Sequence, residues 1–284
     1  MVFGLVQGLT EFLPISSSAH LRIMGELWGP AADPGAAFTA IIQIGTGLAV
    51  LLYFRREVVR IARGWWRGVA KSDPNPDGGM GWLIIIGTLP VVILGLVFTD
   101  TIETRVRSLY LVAASLIGFG LLLGLADKVG RQRKSLTDLG VRDGIIYGFA
   151  QALALIPGVS RSGGTITAGM LMGYTREAAA RYAFLLAMPA IFGSGLYELV
   201  RAVGDKTATF PGFGPTLVAT IVAFVVGYLV VIGFLKLVSV ASYQVFVYYR
   251  VALGLVILVL LVLRVLSPVA DVADVAAVAA SVVG

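Results

Sequence analysis

Apolar residues fall along this chain in long blocks rather than in alternation. Three charge-free blocks, 36–54, 82–99 and 109–126, form one group. A second group follows at 182–197, 214–235 and roughly 245–263, the last interrupted by Arg250. A helix needs about 20 mostly apolar residues to cross a bilayer. Each block therefore predicts a membrane-spanning helix. The fourth is charge-free for only 16 residues and must borrow length from its flanks.

Two further apolar segments are broken in the middle, and they match each other. One runs Gln7-Gly-Leu-Thr-Glu11-Phe-Leu-Pro14-Ile-Ser16-Ser17-Ser18-Ala-His20. The other runs from Gln151 through Pro157, Gly158, Ser160, Arg161, Ser162, Gly163 and Gly164 to Thr165. Without gaps, Gln7 falls on Gln151, Leu9 on Leu153, Ser16 on Ser160 and Ser18 on Ser162. A proline followed by a serine cluster is the pattern of a helix that stops inside a membrane and turns back. Paired interruptions in two halves of a chain point to a binding site.

Composition agrees with a membrane setting. Hydrophobic residues make up 58% of the chain and charged residues 13%, whereas a soluble domain carries about a quarter charged residues. The net charge of +6 is unevenly placed. Segment 55–81 holds six Lys/Arg and 127–143 holds five, while 100–108 and 201–213 hold two each. Short loops rich in Lys/Arg face the cytoplasm, so this charge is read as orientation and contact with anionic headgroups, and nucleic acid is excluded as a partner. There is no cysteine, hence no disulfide or thiol chemistry. No basic region precedes the first apolar run, which holds Glu11, so a cleavable signal peptide is not expected.

With 55–81 and 127–143 inside, the spans alternate consistently. The first broken segment enters from outside. The second, about 143–177, enters from inside, and Arg176, Arg181 and Lys236 fall on the inner side. The expected fold is an all-α polytopic membrane protein, a single membrane domain over 1–284. It divides into two inverted repeats, 1–130 and 140–266, each a re-entrant helical hairpin plus three transmembrane helices. The Ala/Val-rich tail 267–284 is expected to be a frayed end or short surface helix. Irregular backbone at membrane depth persists only around a protein-lined or water-filled cavity. A polar cavity built from 7–20 and 151–165 follows.

That cavity gathers the chemistry. Glu11 and Arg161 are charges in uncharged surroundings, each costing about 2.5–3.5 kcal/mol on insertion scales, and both are explained if they bind something charged. A structural Glu–Arg pair is compatible with that role. His20, the only histidine, follows Ser16 and Ser17 at helical spacing, and a hydroxyl beside an imidazole suits nucleophilic or acid–base catalysis. In the second segment Gly158, Gly163 and Gly164 allow close backbone approach. Ser160, Ser162 and Thr165 add hydroxyls, and Arg161 offers a fork suited to phosphate. A helix N-terminus near Ser162 adds to this anion cradle; a tight turn with close helix packing is the plainer explanation of the same residues. No Walker loop is present, and one histidine supplies neither a two-histidine phosphatase nor a His/Cys zinc site. Asp100 and Glu103 are expected to be solvated, and for Arg250 snorkelling toward the interface explains the charge as well as a function does.

At these residues the chain resembles the bacterial undecaprenyl-diphosphate phosphatases, the bacitracin-resistance family. Gln7 and Glu11 match its first motif, Pro14 to His20 its Pro-x-Ser-Ser-x-x-His run, and Pro157 to Thr165 its Pro-Gly-x-Ser-Arg-Ser-x-x-Thr motif. The resemblance implies hydrolysis of undecaprenyl diphosphate to undecaprenyl phosphate at the extracytoplasmic side of the bacterial inner membrane. It also implies a divalent cation (Mg2+ or Ca2+) at Glu11 with Gln7, and allows a homodimer in the lipid bilayer. Glu11, Ser17, His20 and Arg161 are then the catalytic candidates. Gln7, Ser16, Ser160, Ser162, Gly163 and Thr165 are the substrate-binding ones. Ser17 is the better nucleophile, with His20 as its base; a phosphorylated His20 or direct attack by water stays open. An inverted-repeat transporter or lipid-phosphate flippase would share the architecture.

Overall fold

A computed structural model describes residues 1–28, 35–71, 75–98, 108–204 and 212–268. Within them the chain is all-helical, with eleven α-helices. In order they are α1 (Val2–Thr10), α2 (Ser17–Trp28), α3 (Gly35–Tyr53), α4 (Arg55–Lys71), α5 (Pro76–Val97) and α6 (Leu109–Val129). Then come α7 (Val141–Ala152), α8 (Arg161–Leu171), α9 (Arg176–Gly204), α10 (Phe213–Val240) and α11 (Gln244–Val262). The Asp100/Glu103 connection and the tail beyond 268 lie outside the described residues.

The six apolar blocks become α3, α5, α6, α9, α10 and α11. Five of these are long and apolar enough to cross a membrane alone; α3 passes that test together with α4, which is bent 83° away from it. Only 17% of the apolar window of α5 and 28% of that of α10 is buried inside the protein. Leu96 of α5 and Leu229 of α10 are exposed, as are Leu121 of α6 and Val259 of α11. So much outward apolar surface fits hydrocarbon rather than water, and the chain is a multi-pass membrane protein. The fourth block does borrow length: α9 extends back to Arg176 and on to Gly204.

One expectation fails. Residues 55–71 form a helix, not a loop. Charge counting hid its period: Ile61 and Gly64 turn inward while the arginines turn outward.

Small residues set the packing, as is common between membrane helices. A Cβ on Gly4 of α1 would collide with the Ala219 carbonyl of α10. One on Gly148 of α7 would stand 2.7 Å from the Gly87 carbonyl oxygen of α5. At one end of the bundle, Asp127 of α6 accepts from Arg176 Nε at 2.6 Å and from the Tyr243 N–H at 3.1 Å. Glu57 of α4 accepts from Arg181 Nη2 at 2.8 Å. Aromatic contacts Phe12–Phe184 and Phe184–Phe234 tie the first broken segment to α9 and α10.

Candidate active site

The site is made where α1 and α7 stop. α1 ends at Thr10, and the chain turns through Glu11–Ile15 before α2 begins at Ser17. α7 ends at Ala152 and gives way to a short 3-10 turn, Leu153–Leu155, before α8 begins at Arg161. The two turns lead into α2 and α8 in the same way. Ser16 has φ 71° and Ser160 φ 73°, a left-handed conformation uncommon for a residue with a side chain. Ser16 Oγ accepts from the Ala19 N–H at 3.4 Å and lies 3.1 Å from Ser18 Oγ. Ser160 Oγ accepts from the Gly163 N–H at 3.1 Å and lies 3.1 Å from Ser162 Oγ. Two serine hydroxyls expected to contact a ligand are therefore helix caps.

The two turns meet. Ser162 donates to the Leu13 carbonyl at 3.0 Å, with the Glu11 carbonyl at 3.4 Å. Arg161 Nη1 stands 3.7 Å from Glu11 Oε1, and Arg161 Nη2 donates to Gln43 Oε1 of α3 at 3.4 Å. The Arg161 side chain is 20% exposed and that of Glu11 5%, so the guanidinium is the more accessible partner. Its Nε and Nη1 are buried atoms without a protein hydrogen-bond partner. Buried polar atoms are normally paired, and donors left open here suit an anionic ligand.

Glu11 holds the first turn together. Its Oε2 accepts from Gln7 Nε2 at 2.7 Å and from Ser17 Oγ at 2.7 Å. A carboxylate needs donors, which fixes the Gln7 amide with nitrogen toward Glu11. Gln7 Oε1 is then buried with no partner. His20 is not paired with Ser17. Its Nδ1 lies 2.7 Å from the Ser16 carbonyl, and its Nε2 lies 2.6 Å from the Tyr249 hydroxyl. A carbonyl only accepts, so Nδ1 carries a proton, and in the neutral imidazole Nε2 accepts from Tyr249. The serine–imidazole unit expected from spacing is thus replaced by a serine–carboxylate pair. Helical periodicity put Ser17 near His20, but the turn at Glu11 brought an acceptor to it first.

Two other expected contacts are turned elsewhere. Thr165 donates to the Arg161 carbonyl of its own helix at 2.7 Å. Gly163 faces Arg250, where a Cβ would stand 2.7 Å from Nη1. Its lack of a side chain makes room for that guanidinium.

A divalent cation prefers hard oxygen ligands and keeps waters or substrate phosphates on its other positions. Among the described residues no cluster of three or more His, Cys, Asp or Glu exists. The Glu11 carboxylate and the unpartnered Gln7 Oε1 are the oxygens of the first turn that would hold such a cation.

A model of the bacitracin resistance protein BacA family matches residues 1–256. This chain belongs to that family. The undecaprenyl-diphosphatase of Paenarthrobacter aurescens (strain TC1) is 60% identical over 257 residues, covering 89% of this chain and 93% of the relative. That of Arthrobacter sp. (strain FB24) is 61% identical over 257 residues, covering 89% and 90%. The undecaprenyl-diphosphatase 2 of Agrobacterium fabrum (strain C58) is 59% identical over 257 residues, covering 90% and 92%.

Three residues of this BacA-family chain are missing from the sequence-based site. Gln43 and Tyr249 hold Arg161 and His20 as described. Arg250 does not snorkel: it is fully buried. Its guanidinium donates to Pro14 O at 3.0 Å in the first turn, and to Gly158 O at 2.9 Å and Val159 O at 3.1 Å in the second. It also reaches Ser115 O and Leu116 O of α6. A charge in the middle of an apolar span was the available signal.

Proposed function

We propose that this protein is a membrane phosphatase that cleaves undecaprenyl diphosphate into undecaprenyl phosphate and inorganic phosphate. That reaction returns the lipid carrier to peptidoglycan synthesis. The observation that carries the mechanism is Ser17 Oγ held 2.7 Å from Glu11 Oε2, with Arg161 Nη1 3.7 Å from Oε1 of the same carboxylate. Nucleophile, proton acceptor and anion partner are thus within one site.

Ser17 Oγ attacks the terminal phosphorus while Glu11 takes the hydroxyl proton. The bond from that phosphorus to the bridging oxygen breaks, and its electron pair leaves with undecaprenyl phosphate, which receives the proton from Glu11. Glu11 then takes a proton from the water that attacks the phosphoserine. Inorganic phosphate leaves, and the proton returns to Ser17 Oγ. Arg161 neutralises charge on the phosphoryl oxygens, the main demand of phosphoryl transfer. The α8 N-terminus adds positive potential beside it. A bound cation, held by Glu11 and Gln7 Oε1, would lend further positive charge to the diphosphate. His20, fixed between Ser16 and Tyr249, shapes the first turn rather than taking the Ser17 proton.

The same reading makes α1/α2 and α7/α8 re-entrant hairpins of two inverted repeats. Ser16 and Ser160 support it by sharing a positive φ at matching positions. So does the crossed packing, in which α1 lies on α10 of the other half and α7 on α5. Contacts of Asp127, Glu57, Arg176 and Arg181 gather the positively charged segments at one end, in support of a cytoplasmic face there and a site opening to the extracytoplasmic side of the bacterial inner membrane.

The test is phosphate release from undecaprenyl diphosphate by purified protein in detergent, with and without a chelator, followed by acid quenching. Phosphate on Ser17 is the expected trapped species. If the purified protein releases none yet moves lipid phosphate across vesicles, the phosphatase reading falls to the transporter.

A further inference from the structure

Helix α4 has no part in the site, yet among the described residues it is the most charged element. It leaves α3 at 83°, so it lies nearly in the bilayer plane if α3 spans the membrane. Three stripes run along it. Ile61 and Gly64 face inward. Asn75 anchors that side, donating to the Gly64 carbonyl at 3.1 Å. Arg56, Arg60, Arg63 and Arg67, spaced i, i+4, i+7 and i+11, share one exposed face. Val59 and Trp66 form an exposed apolar stripe beside it, 46% and 62% accessible. Together these arginines, Val59 and Trp66 line a shallow surface hollow.

The nearby acids neutralise this face only at Arg60. Glu57 is engaged by Arg181 at 2.8 Å and Asp77 by Arg60 at 2.9 Å. Among the described residues Arg56, Arg63 and Arg67 have no ion pair. A basic stripe beside an apolar one, on a helix perpendicular to a span, matches a surface of phosphates above acyl chains. We propose that α4 is a docking surface for anionic glycerophospholipid headgroups, with the arginines on the phosphates and Val59 and Trp66 at the acyl boundary. Guanidinium forks suit phosphate oxygens. The proposal rests on the membrane reading of α3, not on the phosphatase chemistry.

The test is native mass spectrometry of the full chain in detergent, titrated with phosphatidylglycerol or phosphatidylcholine of the same acyl chains. Wild type should bind phosphatidylglycerol more tightly. Each basic residue near a lipid surface is worth about 1 kcal/mol, so Arg56→Gln/Arg63→Gln/Arg67→Gln should weaken phosphatidylglycerol on the order of a hundredfold and leave phosphatidylcholine unchanged. The triple lysine variant should retain most of the binding. Equal affinity for the two lipids, an unchanged glutamine variant, or equal loss in the lysine variant overturns the proposal. Inorganic diphosphate competing as well as lipid would make this a phosphate-ion site and overturn the lipid assignment. Phosphate release from a soluble short-chain diphosphate should persist in the glutamine variant, which reports an intact fold. Wild type that binds phosphatidylglycerol but releases no phosphate would sink the catalytic reading alone.

Discussion

Ser17 Oγ donates a hydrogen bond to Glu11 at 2.7 Å, across a turn that Gln7 also braces from the preceding helix. The carboxylate is buried and the serine half-buried, so the pair sits at the inner wall of the site with the hydroxyl as its reachable member. A hydroxyl already hydrogen-bonded to a base is the arrangement an activated nucleophile requires.

Ser17→Ala and Glu11→Gln should each lower turnover by about 10²–10⁴-fold, the usual contribution of positioned proton transfer. The double variant should be little worse than either, because residues acting as a unit are non-additive. Single-turnover phosphate release measures this. Multiplicative losses would separate the two residues, and full activity in Ser17→Ala would assign the attack to water.

Arg161→Ala should abolish phosphate release, and Arg161→Lys should restore little. The lysine keeps charge but loses the planar fork that reaches phosphate, Gln43 and Glu11 together. Steady-state kinetics on both variants decides the matter. Near wild-type turnover in Arg161→Lys would mean a point charge suffices.

Arg250→Met should destabilise the protein by at least about 3 kcal/mol, since Pro14, Gly158 and Val159 lose a buried donor and each unpaired carbonyl costs about 1–3 kcal/mol. Thermal unfolding in detergent reads the change. A wild-type midpoint would show that water replaces the guanidinium without loss.

Cysteine labelling in intact cells tests the orientation, and the chain's lack of native cysteine keeps the background clean. At Gly140 and Gly214 a new Cβ meets nothing within 4 Å. Gly214→Cys should react with an impermeant maleimide from outside, and Gly140→Cys only after permeabilisation. The reverse pattern would place the Ser17 site on the cytoplasmic face.

The sequence by itself determined the class of the molecule. Hydrocarbon demands long apolar helices, so six apolar blocks became six long helices. The cost of charge in such surroundings marked Glu11 and Arg161, which the fold brings to 3.7 Å. Local chain chemistry also survived: Pro14 and Pro157 each sit in a turn, and each serine cluster caps a helix. The arginines of 55–71 were visible, but their helical period was masked by counting them as a loop. Tertiary structure alone decided which partner each polar group took. Ser17 meets Glu11 because of how the first turn closes, His20 meets Tyr249 across 229 positions, and Arg250 joins two turns 236 and 91 positions away. Hydrogen bonds act over about 3 Å and need alignment. Hydropathy and periodicity state which face a residue occupies, but not which distant group the packing of eleven helices brings to it.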